Sequence, residues 1–277
     1  MLFKALREAH RALSGQREQV EADHPLELER ALWQLHERAP VREHLARLFH
    51  DVRIGGERYS DVYFRCLDET GTVVTPFTVF QRFQTRLDLV QYFLASLSIP
   101  GARAECGVYR GATCLLLCHA ARAQDPAFAG DDFYMIDSFS GTSASVEQDH
   151  IAVRAEDGST RMEPFFPAGK TDTTPELVRG YFSEFPRASV CPGWIPEVFS
   201  TLPEREWAFV HLDLSLFEPT LASLEYFVPR LSPGGTILCD TSPFCPGVEK
   251  AWVQFCERNK LAYVVLGHRV FALLRPS

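Results

Sequence analysis

Four acidic residues close four short apolar segments: Glu105 in RAEC, Asp137 in FYMID, Asp213 in WAFVHLD and Asp240 in TILCD. Carboxylates at the carboxyl ends of parallel strands line one edge of a sheet, which is where open α/β folds bind ligands. Each suits different chemistry. Glu105 opens Glu105-Cys106-Gly107-Val108-Tyr109-Arg110-Gly111, just ahead of a helical ATCLLLCHAARAQ. Glycines there permit a tight turn and close backbone approach to a ligand, and N–H groups at a helix start favour a carboxylate. Glu105 itself can accept from an ammonium, and Thr113 adds a hydroxyl. Asp137 offers two acceptor oxygens, the equipment for two ribose hydroxyls. G-x-x-x-G alone is an ordinary turn signal; the strand before it and the helix after it make it a candidate site.

These acids need a scaffold of alternating strands and helices. From residue 102 onward the apolar runs RAEC, FYMID, WAFVHLD and TILCD read as strands, with ATCLLLCHAARAQ, EPTLASLEYFVPR and PGVEKAWVQFCERN as helices between them. That alternation predicts an α/β fold with a mostly parallel sheet. The chain closes with LAYVVL, Gly267-His268 and RVFALL. Two residues cannot join parallel strands, so these form an antiparallel hairpin. A parallel sheet closed this way is the pattern of Rossmann-like methyltransferases. Upstream, Phe83, Leu87, Val90, Leu94 and Leu97 recur at helical steps. RYSDVYFRCLDETGTVVTPFTVF at 58–80 alternates in part and predicts a hairpin. Residues 1–54 read as solvated helices holding five of the nine histidines, at irregular spacings. Residues 138–180 are polar and Pro-containing, and are expected to form a lid-like loop with one short helix.

With these residues in view, the chain resembles the macrocin O-methyltransferase type. Its members are metal-dependent, S-adenosylmethionine-using enzymes that methylate sugar hydroxyls of macrolides, aminocoumarins and similar natural products. The matching stretches are AECGVYRGATC, YMIDSFSG, PGWIPEVFSTLP, FVHLDLSLFEPTLASLEYFVPRLSPGG and CPGVEKAWVQF, across most of residues 76–260. The resemblance implies a Rossmann-like class I methyltransferase fold, with a seven-stranded, mostly parallel sheet and a C-terminal antiparallel hairpin. It implies a methyltransferase domain at 76–277; residues 1–75 take no part in the resemblance and are expected to form a mainly helical extension with a hairpin. Glu105, Gly107, Val108, Tyr109, Gly111 and Thr113 would then hold the methionine end of the cofactor. Asp137 and Ser138 would hold the ribose, Gly193 and Trp194 would lie near the adenine, and Asp213 would flank both cofactor and acceptor.

The chain departs from the family where catalysis is expected. The family writes D-x-D-L-Y-E, with a metal-binding Asp and a second Asp placed to take the substrate proton; here the stretch is Asp213-Leu214-Ser215-Leu216-Phe217-Glu218. The family's later pair of adjacent Asp is Asp240-Thr241 here. Asp213, Asp240 and the Thr241 hydroxyl could still offer three oxygens to Mg2+, though the lost charge weakens such a site. A sugar hydroxyl is a weak acid and needs proton removal or metal polarisation. Ser215 cannot act as a base unaided. His150, beside Asp149 in the expected lid, is the histidine that could reach over the cofactor, so Asp213, Asp240 and His150 are the catalytic candidates. His211 and His268 read as packing and turn residues. The expected activity is O-methylation of a small molecule. Two other readings stay open: an amine, carboxylate or phenol acceptor methylated without metal, and a cofactor-binding partner protein without turnover.

Bulk composition agrees with a soluble enzyme. The chain has 277 residues, 46% hydrophobic and 23% charged, with a formal charge of −8. No basic stripe points to nucleic acid, and no run of apolar residues is long enough for a membrane span. The eight cysteines have no CxxC spacing and several sit in apolar runs, so they read as reduced core thiols in a cytoplasmic protein. The expected partner is a small-molecule acceptor, and a homodimer is the preferred assembly.

Overall fold

The structure is a computed structural model that describes residues 38–72, 79–154, 159–164, 168–169, 173–240, 245–267 and 270–276. Its centre is a seven-stranded sheet. The strands are β3 (Ala102–Cys106), β4 (Phe133–Asp137), β7 (Ser189–Pro192), β8 (Trp207–Leu212), β9 (Leu231–Asp240), β10 (Val264–Leu266) and β11 (Val270–Leu274). They lie in the order β10-β11-β9-β8-β3-β4-β7. All pairs from β7 to β9 are parallel. β11 runs antiparallel to β9 and to β10, so the expected C-terminal hairpin is present. Strand order reverses between β3 and β8, and that reversal opens a crevice at their carboxyl ends.

Helices cover both faces. α1 (Arg38–Leu48), α2 (Tyr59–Thr70), α3 (Val79–Ser96) and α4 (Ala112–Gln124) pack on one side. Their Leu45, Tyr63, Phe83, Phe93 and Leu115 share a core with Phe133, Met135, Phe209 and Leu238 of the sheet. α6 (Phe217–Phe227) and α7 (Pro246–Asn259) cover the other side, against Ala104, Cys106, Val210 and Cys239. Side chains alternate along a strand. Glu105, Asp137, His211 and Asp240 therefore share the parity of Met135, Phe209 and Leu238, and belong to the face under α3 and α4. This two-faced burial, with about 1.5–3 kcal/mol for each large apolar side chain, holds the layers together.

Two local expectations are revised. Residues 58–80 do not form a hairpin where they are described: a two-residue ribbon, β1 (Arg53–Ile54) with β2 (Glu57–Arg58), precedes the helix α2. The buried set Tyr59, Val62, Tyr63, Cys66, Leu67 and Thr70 follows a helical period. Gly71, left-handed at φ 61°, caps the helix by donating to Leu67 and Asp68 carbonyls. The expected break at Glu-Thr-Gly is thus a helix end. Within 138–180 the expected short helix is α5 (Pro175–Tyr181), with Thr174 as its N-cap. The segment also holds an antiparallel ribbon, β5 (His150–Arg154) with β6 (Thr160–Pro164). Leu45, Tyr59 and Val62 lie in the same hydrophobic core as α4.

None of the eight cysteines forms a disulfide, and seven of them are buried. Among the described residues no helix is long and apolar enough to cross a membrane.

Candidate functional site

A cavity of about 340 Å³ opens at the carboxyl edge of β3, β4 and β8. Its wall includes Glu105, Gly107, Val108, Tyr109, Ala112 and Thr113 from the first turn, and Asp137 and Ser138 from the second. Gly193 and Trp194 follow β7, and Asp213 and Ser215 follow β8. Apart from Ala112 and Ser215, these residues were expected at a site from the sequence, and the fold brings them to one cavity. Gly111 is not part of the wall; it starts α4, where a Cβ would meet the Phe182 ring at 2.9 Å. His150 is also outside the wall, in β5. Its neighbour Asp149 is buried and structural, accepting from the amides of Val146 and Phe217. Thr241 and His268 lie outside the described residues.

The first turn is shaped by backbone conformation. Gly107 has φ 87°, Tyr109 φ 51° and Gly111 φ 87°. A Cβ on Gly107 would clash with the Asp213 carbonyl oxygen, so glycine is required where the backbones leaving β3 and β8 pass closely against each other. Left-handed residues turn successive amides inward to form an anion nest. Here the nest is filled from within the chain: Val108 and Tyr109 amides donate to Asp137 Oδ2 at 2.7 and 2.8 Å. Phe139 N donates to Asp137 Oδ1 at 2.8 Å. Burial raises the Asp137 pKa, and these amide donors counter the rise. The turn amides at 108 and 109 are thus spent on Asp137. The helix-start amides expected to favour a carboxylate are those of α4, which has no side-chain cap and whose Ala112 and Thr113 line the cavity.

Behind the wall lies a ladder of buried charge that sequence reasoning missed. Arg86 of α3 is 4% exposed. Its Nη2 donates to Asp213 Oδ2 at 2.5 Å, its Nη1 to Asp240 Oδ2, and its Nε to Thr113 Oγ1 at 2.7 Å. Burial alone would favour loss of its proton; Asp240, Asp213 and Glu105 outweigh that and raise its pKa. Beyond Asp240 comes His211, fully buried, with Nε2 3.7 Å from Asp240 Oδ1 and Nδ1 3.5 Å from Glu105 Oε1. Those are ion-pair separations, longer than hydrogen bonds. Desolvation pushes the imidazole toward neutrality, and Glu105 and Asp240 reverse this and raise it from 6.5 to about 9. Asp240 is held well below the usual carboxylate range by Arg86 and His211, against its burial. Glu105 ends the ladder, accepting from Cys114 Sγ at 3.1 Å. A signal for Arg86 existed in the sequence: it lies three residues after Phe83 and four before Val90, a charge on an apolar helical face, which requires a buried partner.

His211, Asp213 and Asp240 bring ligand atoms within 4.8 Å of one another. As arranged, they do not fit an added divalent ion. Arg86 already joins the two carboxylates, Arg82 lies 3.7 Å from Asp213 Oδ2, and His211 sits between Asp240 and Glu105 at 3.7 and 3.5 Å.

A family model described as Macrocin-O-methyltransferase (TylF) matches residues 77–266. A Streptomyces olivaceus protein, 8-demethyl-8-(2,3-dimethoxy-alpha-L-rhamnosyl)-tetracenomycin-C 4'-O-methyltransferase, is 30% identical over 56% of this chain and 59% of its own length. Mycinamicin III 3''-O-methyltransferase of Micromonospora griseorubida is 25% identical over 64% of this chain and 70% of its own. Demethyldecarbamoylnovobiocin O-methyltransferase of Streptomyces niveus is 28% identical over 60% and 62%. The chain therefore spans less than two thirds of two of these relatives. Among solved structures, the calicheamicin methyltransferase CalS11 superposes with a TM-score of 0.55 at 20% identity, covering 78% of this chain and 91% of its own. The O-methyltransferase NovP gives 0.53 at 21%, covering 70% and 81%. Likeness at this level shows the shared fold.

Proposed function

Because the chain belongs to the macrocin-O-methyltransferase family, we infer that it moves a methyl group from S-adenosylmethionine to a hydroxyl of a small molecule, such as a natural-product sugar. The observation that carries this reading is the convergence of Glu105, Asp137 and Asp213 on one cavity at the reversal point of the sheet. The cavity has what such a cofactor asks for. The uncapped start of α4, with Thr113, suits a carboxylate, and Glu105 suits an ammonium. Asp137 Oδ1 has acceptor capacity left for a ribose hydroxyl, and Trp194, 41% exposed, offers a flat face to a base. When bound, S-adenosylmethionine supplies an electrophilic methyl group, so the protein's work is alignment and exclusion of water.

The acceptor side is formed by Asp213, Ser215, Arg82 and Arg86. Asp213 Oδ2 accepts from Arg86 and lies 3.7 Å from Arg82, so this oxygen is already taken up by the chain's own cations and is not left open to a sugar hydroxyl. That observation favours, as a second reading, an acceptor that gives up its proton more readily, a phenol or a carboxylate.

Calorimetric titration of the full chain with S-adenosylhomocysteine tests the cofactor assignment. Saturable binding with one site per chain is expected, and absence of binding would end the methyltransferase reading. Single-turnover assays across sugar, phenol and carboxylate acceptors then distinguish the two readings.

A further inference from the structure

The acid pair at the back of the cavity already has a cation, and the chain supplies it. Arg86 presents N–H groups on three sides to oxygen acceptors from three elements: Asp213 after β8, Asp240 on β9 and Thr113 on α4. Two carboxylates and a hydroxyl are hard oxygen ligands of the kind a divalent ion takes, gathered here around a planar guanidinium. Arg86 is fixed by the helix that bears it. Phe83, Leu89, Val90 and Phe93 of α3 are buried beside it, and Thr85 Oγ1 accepts from its Nη1 at 3.4 Å. Insertion of a divalent ion between Asp213 and Asp240 would strip a buried guanidinium of both countercharges and set a second cation next to it. Ser215, two residues beyond Asp213, adds no charge to attract one.

We propose that Arg86 occupies the cation position of the Asp213–Asp240 pair, so that this chain orients its acceptor with a built-in guanidinium and binds no divalent ion there. Four of its five N–H groups are directed at Thr113, Thr85, Asp240 and Asp213. The remaining one, on Nη2, belongs to a side chain that lines the cavity, where it can donate to an acceptor oxygen. The orientation of an acceptor rests on the methyl-transfer reading; the cation assignment does not.

The test is Mn2+ binding to the full chain, read by electron paramagnetic resonance as loss of the free-ion signal. The wild type is expected to bind no Mn2+ that Asp213→Asn removes. Arg86→Met frees the two carboxylates and should gain roughly tenfold or more in Mn2+ affinity, a gain lost again in the Arg86→Met, Asp213→Asn double variant. One Mn2+ per wild-type chain, abolished by Asp213→Asn, would overturn the proposal. Should Arg86→Met not fold, as judged by circular dichroism, the wild-type titration decides alone. Titration with S-adenosylhomocysteine in Mg2+ and in EDTA should give one affinity; an affinity that needs Mg2+ counts against Arg86. Absence of S-adenosylhomocysteine binding in both buffers would count against the methyl-transfer reading and leave the Mn2+ result standing.

Discussion

At Asp137 one carboxylate has to serve the chain and a ligand together. Oδ2 accepts two turn amides and Oδ1 one more, so a ribose can use Oδ1 but finds Oδ2 engaged. Its place at a strand end was readable from FYMID. Its second duty was not, because the amides reach it only through the left-handed backbone at Tyr109, φ 51°, a conformation residue type does not announce. Asp137→Asn sets an NH2 donor against donor amides. The expected outcome is a stability loss of about 1–3 kcal/mol in urea unfolding, together with S-adenosylhomocysteine binding weakened by about tenfold. An unchanged affinity in calorimetry would remove Asp137 from the ribose site.

Among the elements, those carrying an unbroken apolar run were the readable ones. β3, β4, β8 and β9 are largely buried and have an acid at or next to their carboxyl ends, and α3 has its stripe at Phe83, Leu87 and Val90. The β5–β6 ribbon was unreadable because its strands have no buried face to impose a period of two; every residue of β6 is exposed. α2 was misread because its aromatic and β-branched residues suit a strand as well as a helix, and packing on α4 decides. The ribbon is tied down at Asp149, whose carboxylate accepts from Val146 N at 2.9 Å and from Phe217 N, the first residue of α6, at 2.7 Å. Asp149→Ala should leave two amides unpaired, cost about 1–3 kcal/mol and speed proteolytic cleavage within 140–165. His150 beside it points to no such role. His150→Ala should retain stability and methyl transfer within about twofold, since surface substitutions cost little. A folded His150→Ala protein without turnover would return this histidine to the catalytic set.

Across the whole molecule the layers are joined by charge as well as by apolar packing. Asp213, Arg86, Asp240, His211 and Glu105 alternate in sign from the cavity through β9 and β8 to β3, with α3 supplying the arginine. Sequence alone showed the three acids; it could not show the pairing, which requires α3 to cross the sheet face where strand parity places them. His211 makes the ladder sensitive to pH. Its folded pKa stands at about 9 against an ordinary 6.5, so the folded chain holds this proton more tightly than the unfolded chain. The stabilisation is complete below pH 6.5 and is lost as pH rises through about 9. Across that window it amounts to about 3 kcal/mol. Urea unfolding of wild type and His211→Gln at intervals from pH 6 to 9 measures it by difference, which cancels the buried thiols common to both. Wild-type stability should fall relative to the variant as pH rises. Parallel curves would mean a neutral imidazole in the fold, leaving Arg86 as the sole internal countercharge to Asp240.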